Sequence, residues 1–235
     1  TPLYTVLGFR DESGSLVNRD QPYLRSDHYV AGLEYVPTPV LRFTLEGFYK
    51  RYADYPVSAF NGISLANQGG GFGILGNERV LATGNGEAYG LELFAQQKLK
   101  NNLYFTGSYT LFWSRFSNAD GQLVASAWDN RHLLSLLAGY KFRGNWELGL
   151  KYRFQGGVPY TPLDLEASRL NYATLGTGVP DNSRLNAERL GNFSQMDIRL
   201  DKKWNFRRAT LDVFIDIQNL LNTVNPAPPN YTFQR

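Results

Sequence analysis

The chain has 235 residues, 43% of them apolar and 14% aromatic, with 19% charged, no cysteine and a formal net charge of +3. Without cysteine there is no disulfide framework, cysteine-based zinc site or thiol nucleophile, and so many Tyr, Phe, Leu and Val residues exclude intrinsic disorder. A mean hydropathy of −0.36 and the lack of any run of 18 apolar residues exclude a helical membrane protein, and no basic block of the kind that marks a nucleic-acid surface is present. No charged-then-apolar leader opens the chain, so it is expected to be mature, cytoplasmic or cut from something longer.

Alternation at period two dominates the sequence, over segments of about ten residues. A first, weaker strand is expected over Leu3 to Phe9. Next, Tyr29, Ala31, Leu33 and Tyr35 alternate with His28, Val30, Gly32 and Glu34, and Leu41, Phe43, Leu45, Gly47 and Tyr49 alternate with Arg42, Thr44, Glu46, Phe48 and Lys50. Tyr89 to Leu99 and Leu103 to Trp113 repeat the pattern on their odd positions, Leu134 to Phe142 and Trp146 to Phe154 on their even ones. The last two segments are the clearest. Met196, Ile198, Leu200, Lys202 and Trp204 oppose Gln195, Asp197, Arg199, Asp201 and Lys203, and Leu211, Val213, Ile215 and Ile217 oppose Asp212, Phe214, Asp216 and Gln218. A helix would scatter these sets around its circumference, whereas a strand sorts them onto two faces.

The connections alternate too. Pro37 to Pro39, Lys100 to Asn102, Arg143 to Asn145 and Asn205 to Arg208 are tight turns, while Tyr52–Gly86, Arg115–Asn130 and Gly156–Ser194 are long links. Short turns at one end and long loops at the other are the pattern of transmembrane barrels. Ring position agrees: Tyr35, Phe142, Trp146 and Trp204 lie by the short turns, Tyr29, Tyr49, Tyr89, Trp113, Tyr152 and Phe154 toward the long loops, with aliphatics between. Two aromatic belts around an aliphatic band match the two headgroup levels of a bilayer. Gly32, Gly90, Gly139 and Gly149 interrupt the polar face, and either close-packed lumen contents or barrel curvature accounts for them. A soluble β-sandwich that buries the apolar face is the competing architecture.

Several stretches resemble TonB-dependent outer-membrane receptors: Asn85 to Leu93 (NGEAYGLEL), Gly107 to Thr110, Trp128 to His132 (WDNRH), Gly157 to Pro162 (GVPYTP), Gln195 to Trp204 (QMDIRLDKKW) and Asp212 to Asn222. The likeness runs from about Tyr29 to Asn225. It implies an all-β, antiparallel transmembrane barrel of 22 strands closed by an N-terminal plug. At about 26 residues per strand such a barrel needs about 570 residues, so residues 1–235 are expected to be a partial outer-membrane barrel domain, its C-terminal eight or nine strands, with the plug and the final strand not present. The resemblance also implies a function: uptake of a scarce nutrient (a metal chelate, siderophore, vitamin, oligosaccharide or peptide) across the outer membrane of a Gram-negative bacterium, without catalysis or cofactor. The partners it implies are outer-membrane lipids, the chain's own plug, the TonB coupling complex and an unknown small-molecule substrate, and no nucleic acid. A passive porin, another outer-membrane barrel and an outer-membrane hydrolase stay as alternatives.

Candidate functional residues follow from the faces. Arg131, Lys151, Arg153, Asp197, Arg199, Asp201, Asp212 and Asp216 are expected to form paired charges on the lumen wall rather than a cation site or an acid/base pair, because both signs interleave. Tyr55, Phe60, Phe72, Tyr160 and Tyr172 in the long loops are candidate ligand contacts. Gly71 to Gly76 spells G-x-G-x-x-G but lacks the flanking strand and helix a dinucleotide site needs, so it reads as loop. Ser126, Asp129 and His132 could be written as a hydrolase trio, yet the trio lies where a loop runs into a strand and reads as a strand start; His28, beside Asp27, reads the same way.

Overall fold

The structure, a computed structural model, describes residues 3–68 and 75–232. Eight long strands form one sheet: β1 (Arg25–Thr38), β2 (Leu41–Ser58), β3 (Val80–Lys100), β4 (Leu103–Ser117), β6 (His132–Phe142), β7 (Trp146–Gln155), β12 (Phe193–Asn205) and β13 (Thr210–Ile217), with the short β5 (Leu123–Ala125) added beside β4. The order follows the chain, β1-β2-β3-β4-β6-β7-β12-β13, and every pairing is antiparallel. Among the described residues β1 and β13 are open edges, so the sheet is an arc of a barrel rather than a closed one.

Turn chemistry fixes the short-turn end. Asn101 and Asn102 both take positive φ (52° and 66°), as do Gly144 and Asn145 (73° and 61°), the backbone that lets a tight hairpin follow the twist of its strands. The register then lines side chains across the sheet. Tyr29, Tyr49, Tyr89 and Trp113 fall in one row, and Leu33, Leu45, Leu93, Tyr109, Leu134 and Phe154 in another. Among the described residues no second layer covers this face: Leu33 and Tyr35 are 76% and 66% exposed. A soluble sandwich would bury this apolar band under a second sheet, whereas a barrel wall presents it to lipid.

Buried residues gather at the other end. Val6, Leu65 and Val80 form a small core with Tyr55 against it, and Val57, Ile63, Phe116, Ala127 and Leu185 are buried in the same region. The expected strand over Leu3 to Phe9 is instead a one-turn helix, α1 (Leu3–Leu7). Val6 reaches this core only by leaving the sheet, and Thr5 Oγ1 donates to the Leu75 carbonyl (2.9 Å) from the same turn.

The long links carry more structure than alternation suggests. β2 and β3 continue past the membrane-length region as a projecting hairpin, with an irregularity around Asp54 (φ 56°), so the link shrinks to residues 59–79. Between β7 and β12 the chain makes two small hairpins, β8 (Pro159–Tyr160) with β11 (Glu188–Arg189) and β9 (Leu163–Asp164) with β10 (Val179–Pro180). It also forms helix α2 (Leu165–Leu175), capped by Asp164, whose carboxylate accepts from the Ala167 amide, and by Gly176 in the left-handed conformation.

Candidate functional site

Two regions carry polar chemistry, the charged face of β6–β13 and the packed crown of loops above it. On the charged face, cross-strand register brings opposite charges together. Lys151 pairs with Asp197 (3.8 Å), Lys203 with Asp212 (3.6 Å) and Lys141 with Glu147 (3.9 Å), while Arg199 grips Asp201 two positions along its own strand (2.8 Å) and lies over the Phe214 ring. Arg153 donates to the Gln195 side chain (2.7 Å), and Asp216 stands directly opposite Arg199. A groove of about 420 Å³ runs along this wall between Tyr104, Lys151, Arg199 and Asp216.

Arg131 stands apart from the other seven expected wall charges. A positive φ (64°) at the start of β6 breaks the strand's parity, and its guanidinium pairs with Asp129 (2.9 Å) and lies over the Trp113 ring at the rim. At two glycines of the charged face a neighbouring side chain takes the space of the missing Cβ, while Gly149 has only ordinary contacts with Arg199. The Tyr104 ring lies across Gly139 to donate its hydroxyl to Glu147 (2.8 Å), and the Glu46 side chain occupies the space a Cβ on Gly32 would need. At Gly90 the obstacle is backbone, the Leu111 carbonyl, where β3 and β4 close up.

Buried polar side chains hold the crown together. Asn18, fully buried, donates to the carbonyls of Val6 (2.8 Å) and Glu78 (2.7 Å) and accepts from the Val80 amide (3.0 Å). Asn67 donates to the carbonyls of Phe116 and Ser117, and Asn186 to that of Ala125 (2.9 Å). Asp129 is also fully buried; it accepts from Arg131, from Arg189 (3.0 Å) and from the Ser114 amide (3.1 Å). Arg189 further donates to the carbonyls of Asp129 and Gly157. Three links of the chain are thereby fastened into one body, since a buried carboxylate is stable only with its full set of donors.

The expected ligand contacts fall in different settings. Tyr55 packs edge-on against Phe116 (4.7 Å between centroids) within the loop core. Phe60, 94% exposed, stands free at the tip of the β2–β3 projection. Tyr160 donates to Glu188 (2.9 Å), a bond that pushes its own hydroxyl pKa up and, together with Arg184, holds the Glu188 carboxyl below the usual range. Tyr172 meets Tyr231 (5.4 Å). Phe72 and most of the Gly71 to Gly76 run lie outside the described residues. The serine, aspartate and histidine of the hydrolase trio have separate partners: Ser126 donates to Ser114, Asp129 is held by its arginines, and His132 shares a hydrogen bond with Tyr109 (2.8 Å). His28 meets Ser26 (2.7 Å). Among the described residues no three His, Asp or Glu side chains converge as a metal site would require.

The family model described as TonB dependent receptor-like, beta-barrel matches residues 8–220. The chain belongs to the TonB-dependent receptor family. No curated protein sequence matches it. Among solved structures, this receptor segment is similar to the ferripyoverdine receptor of the Pseudomonas aeruginosa outer membrane (TM-score 0.60, 16% identity, covering 94% of this chain and 27% of that one). It is also similar to the ferric-catecholate import receptor Fiu of E. coli K12 (TM-score 0.61, 16% identity, 94% and 29%) and to the ferric yersiniabactin uptake receptor FyuA of Yersinia pestis (TM-score 0.55, 16% identity, 85% and 25%). The segment therefore spans under a third of the length of these receptors, and at such identities the likeness concerns the fold.

Within the receptor crown, strand-face reasoning misses Asn18, Asn67, Asn186 and Arg189, because residues in links have no face to be read from. Asn186 gives one local signal, a left-handed φ of 51°, and Trp128 stands 59% exposed beside Asp129.

Proposed function

We propose that this segment is part of the wall of an outer-membrane active transporter that takes up a scarce nutrient, with ferric chelates first among the candidates. The observation that carries this reading is the polarity of the molecule. One sheet face is an uncovered apolar band with aromatic ends, the other is a wall of paired charges, and the loops at one end are fastened into a single packed body. A passive porin needs an open lumen; a wall whose charges are already paired suits contact with a plug that moves. In this reading the receptor's own N-terminal plug fills the lumen and the TonB complex pulls on it. Exposed loop rings such as Phe60 and Trp128 meet the ligand, and no bond is made or broken by the protein. The three structural relatives are named for ferripyoverdine, ferric catecholate and ferric yersiniabactin, which sets the order of the test panel.

The test is uptake of labelled ferric chelates by Gram-negative cells that express the full receptor, with and without a functional TonB. The reading expects accumulation of at least one chelate only when both are present. Accumulation that persists without TonB would make the barrel a passive pore and overturn it.

A further inference from the structure

The two ends of the sheet differ in charge. Links 8–24, 59–79, 118–131 and 156–192 together carry ten carboxylates and seven arginines. The three neighbouring short turns 100–103, 143–145 and 205–209 carry Lys100, Arg143, Arg207 and Arg208 and no carboxylate. They lie side by side, since the Lys141 amide donates to the Asn102 carbonyl (2.8 Å) and the Lys203 amide to that of Asn145 (3.0 Å). Among the described residues the ion pairs near this end belong to Arg42, Lys141, Arg199 and Lys203 on the charged face, and none involves the turn cations.

Lys202 joins these cations from the opposite face. By register it stands across from Trp146 on one side and Val213 on the other, in the apolar column of β12 with Met196, Ile198, Leu200 and Trp204. A lysine on a lipid-facing column is costly at mid-membrane and cheap only at the interface. Its ammonium lies over the Trp146 and Trp204 rings (5.1 and 5.4 Å to the centroids) and donates to the Gly144 carbonyl. An ammonium has three donors, so two remain, held between two indoles on the outside of the wall where no carboxylate of the described residues pairs with them.

We propose that this rim binds the phosphodiester headgroup of an anionic glycerophospholipid in the leaflet at the short-turn side, with Lys202 as the anchor and Arg143, Arg207 and Arg208 as flanking cations. The inference rests on the outer-membrane reading. Placement decides the occupant: Lys202 emerges among the rings of the aromatic belt, at headgroup depth, while a soluble acidic partner would meet the turn arginines alone.

The full receptor is reconstituted in nanodiscs of phosphatidylcholine doped with phosphatidylglycerol, and the lipids retained on release are weighed by native mass spectrometry. The expected result is enrichment of phosphatidylglycerol over its bulk fraction. That enrichment falls about fivefold in Lys202→Gln, the factor for one basic residue at an anionic surface, survives in Lys202→Arg, and falls further when Arg143, Arg207 and Arg208 are replaced by Gln. Arg169→Gln on α2, at the far end, leaves it unchanged. No enrichment in the natural protein, enrichment indifferent to Lys202→Gln, or full displacement of the lipid by glycerol phosphate would overturn the proposal. Failure of the receptor to enter the bilayer would instead refute the membrane reading beneath it.

Discussion

Asp129 is the fastening point of the crown, and removing it has a calculable effect. Its carboxylate accepts from Arg131 (2.9 Å), Arg189 (3.0 Å) and the Ser114 amide (3.1 Å). A hydrogen bond to a charged group contributes roughly 1.5–3 kcal/mol, and an orphaned buried amide costs roughly 1–3 kcal/mol. Arg131 and Arg189 keep about a third of their side-chain surface in solvent (35% and 33%), so their share belongs at the low end or below. For Asp129→Ala the total is about 3 kcal/mol of local stability, roughly a hundredfold in the opening equilibrium of link 156–192. Asp129→Asn keeps the shape and a neutral acceptor and should cost about half, roughly tenfold. Hydrogen exchange by mass spectrometry on the full receptor reads this directly. The Leu190 amide, bonded to the Val158 carbonyl, and the Ala187 amide should exchange faster, while β12 stays protected. Unchanged exchange over residues 184–190 in Asp129→Ala would refute the fastening role, and equal loss in β12 would show global unfolding instead.

Other outcomes follow from the same geometry. In Gly139→Ala the new methyl displaces the far end of the Tyr104 ring and breaks its bond to Glu147, lowering the unfolding free energy in detergent by about 1 kcal/mol; Tyr104→Phe in that background should add almost nothing. In Gly90→Ala the methyl meets the Leu111 carbonyl instead, which cannot swing aside, so urea unfolding should report a larger loss, of about 2 kcal/mol or more. Asn102→Val places a β-branched residue at φ 66° and should cost roughly 1–2 kcal/mol by the same measurement, with Asn102→Gly neutral or better. Because the folded-state pKa of Glu188 is lowered, chiefly by Tyr160, its contribution to loop stability is present above the ordinary carboxylate pKa and is lost as pH falls through the lowered value. Tyr160→Phe should raise the Glu188 pKa toward the ordinary range, as measured by NMR titration.

The strands were legible because their physics is two-sided. Gln195 to Trp204 alternates with Lys202 as the one charged residue in its apolar column, and the structure pairs it on both flanks in the register that alternation requires. Lys151, Asp197, Arg199 and Asp201 came together for the same reason: residues two apart share a face, and neighbouring faces meet. Arg131 shows the limit, because one left-handed residue at the start of β6 cancels the parity its number implied. The crown was opaque for a different reason. Asn18 bonds Glu78 and Asn186 bonds Ala125 across sixty or so positions, and such contacts have no period to betray them. Helix α2 was readable in principle, since Asp164 and Gly176 stand at its two ends as cap residues, but alternation alone does not look for caps. Leu3 to Phe9 erred the other way: apolar content suggested a strand where burial of Val6 favoured a helical turn.

The central claim is that the even residues of β12 face lipid and the odd ones the lumen. Nitroxide scanning of single cysteines from Gln195 to Trp204 in the reconstituted receptor tests it most directly, and this stretch of chain contributes no cysteine of its own. The account predicts a strict period of two, with oxygen collisions highest at Met196, Ile198 and Leu200 and polar-reagent collisions highest at Asp197, Arg199 and Asp201. Equal access of the polar reagent to both sets would contradict it.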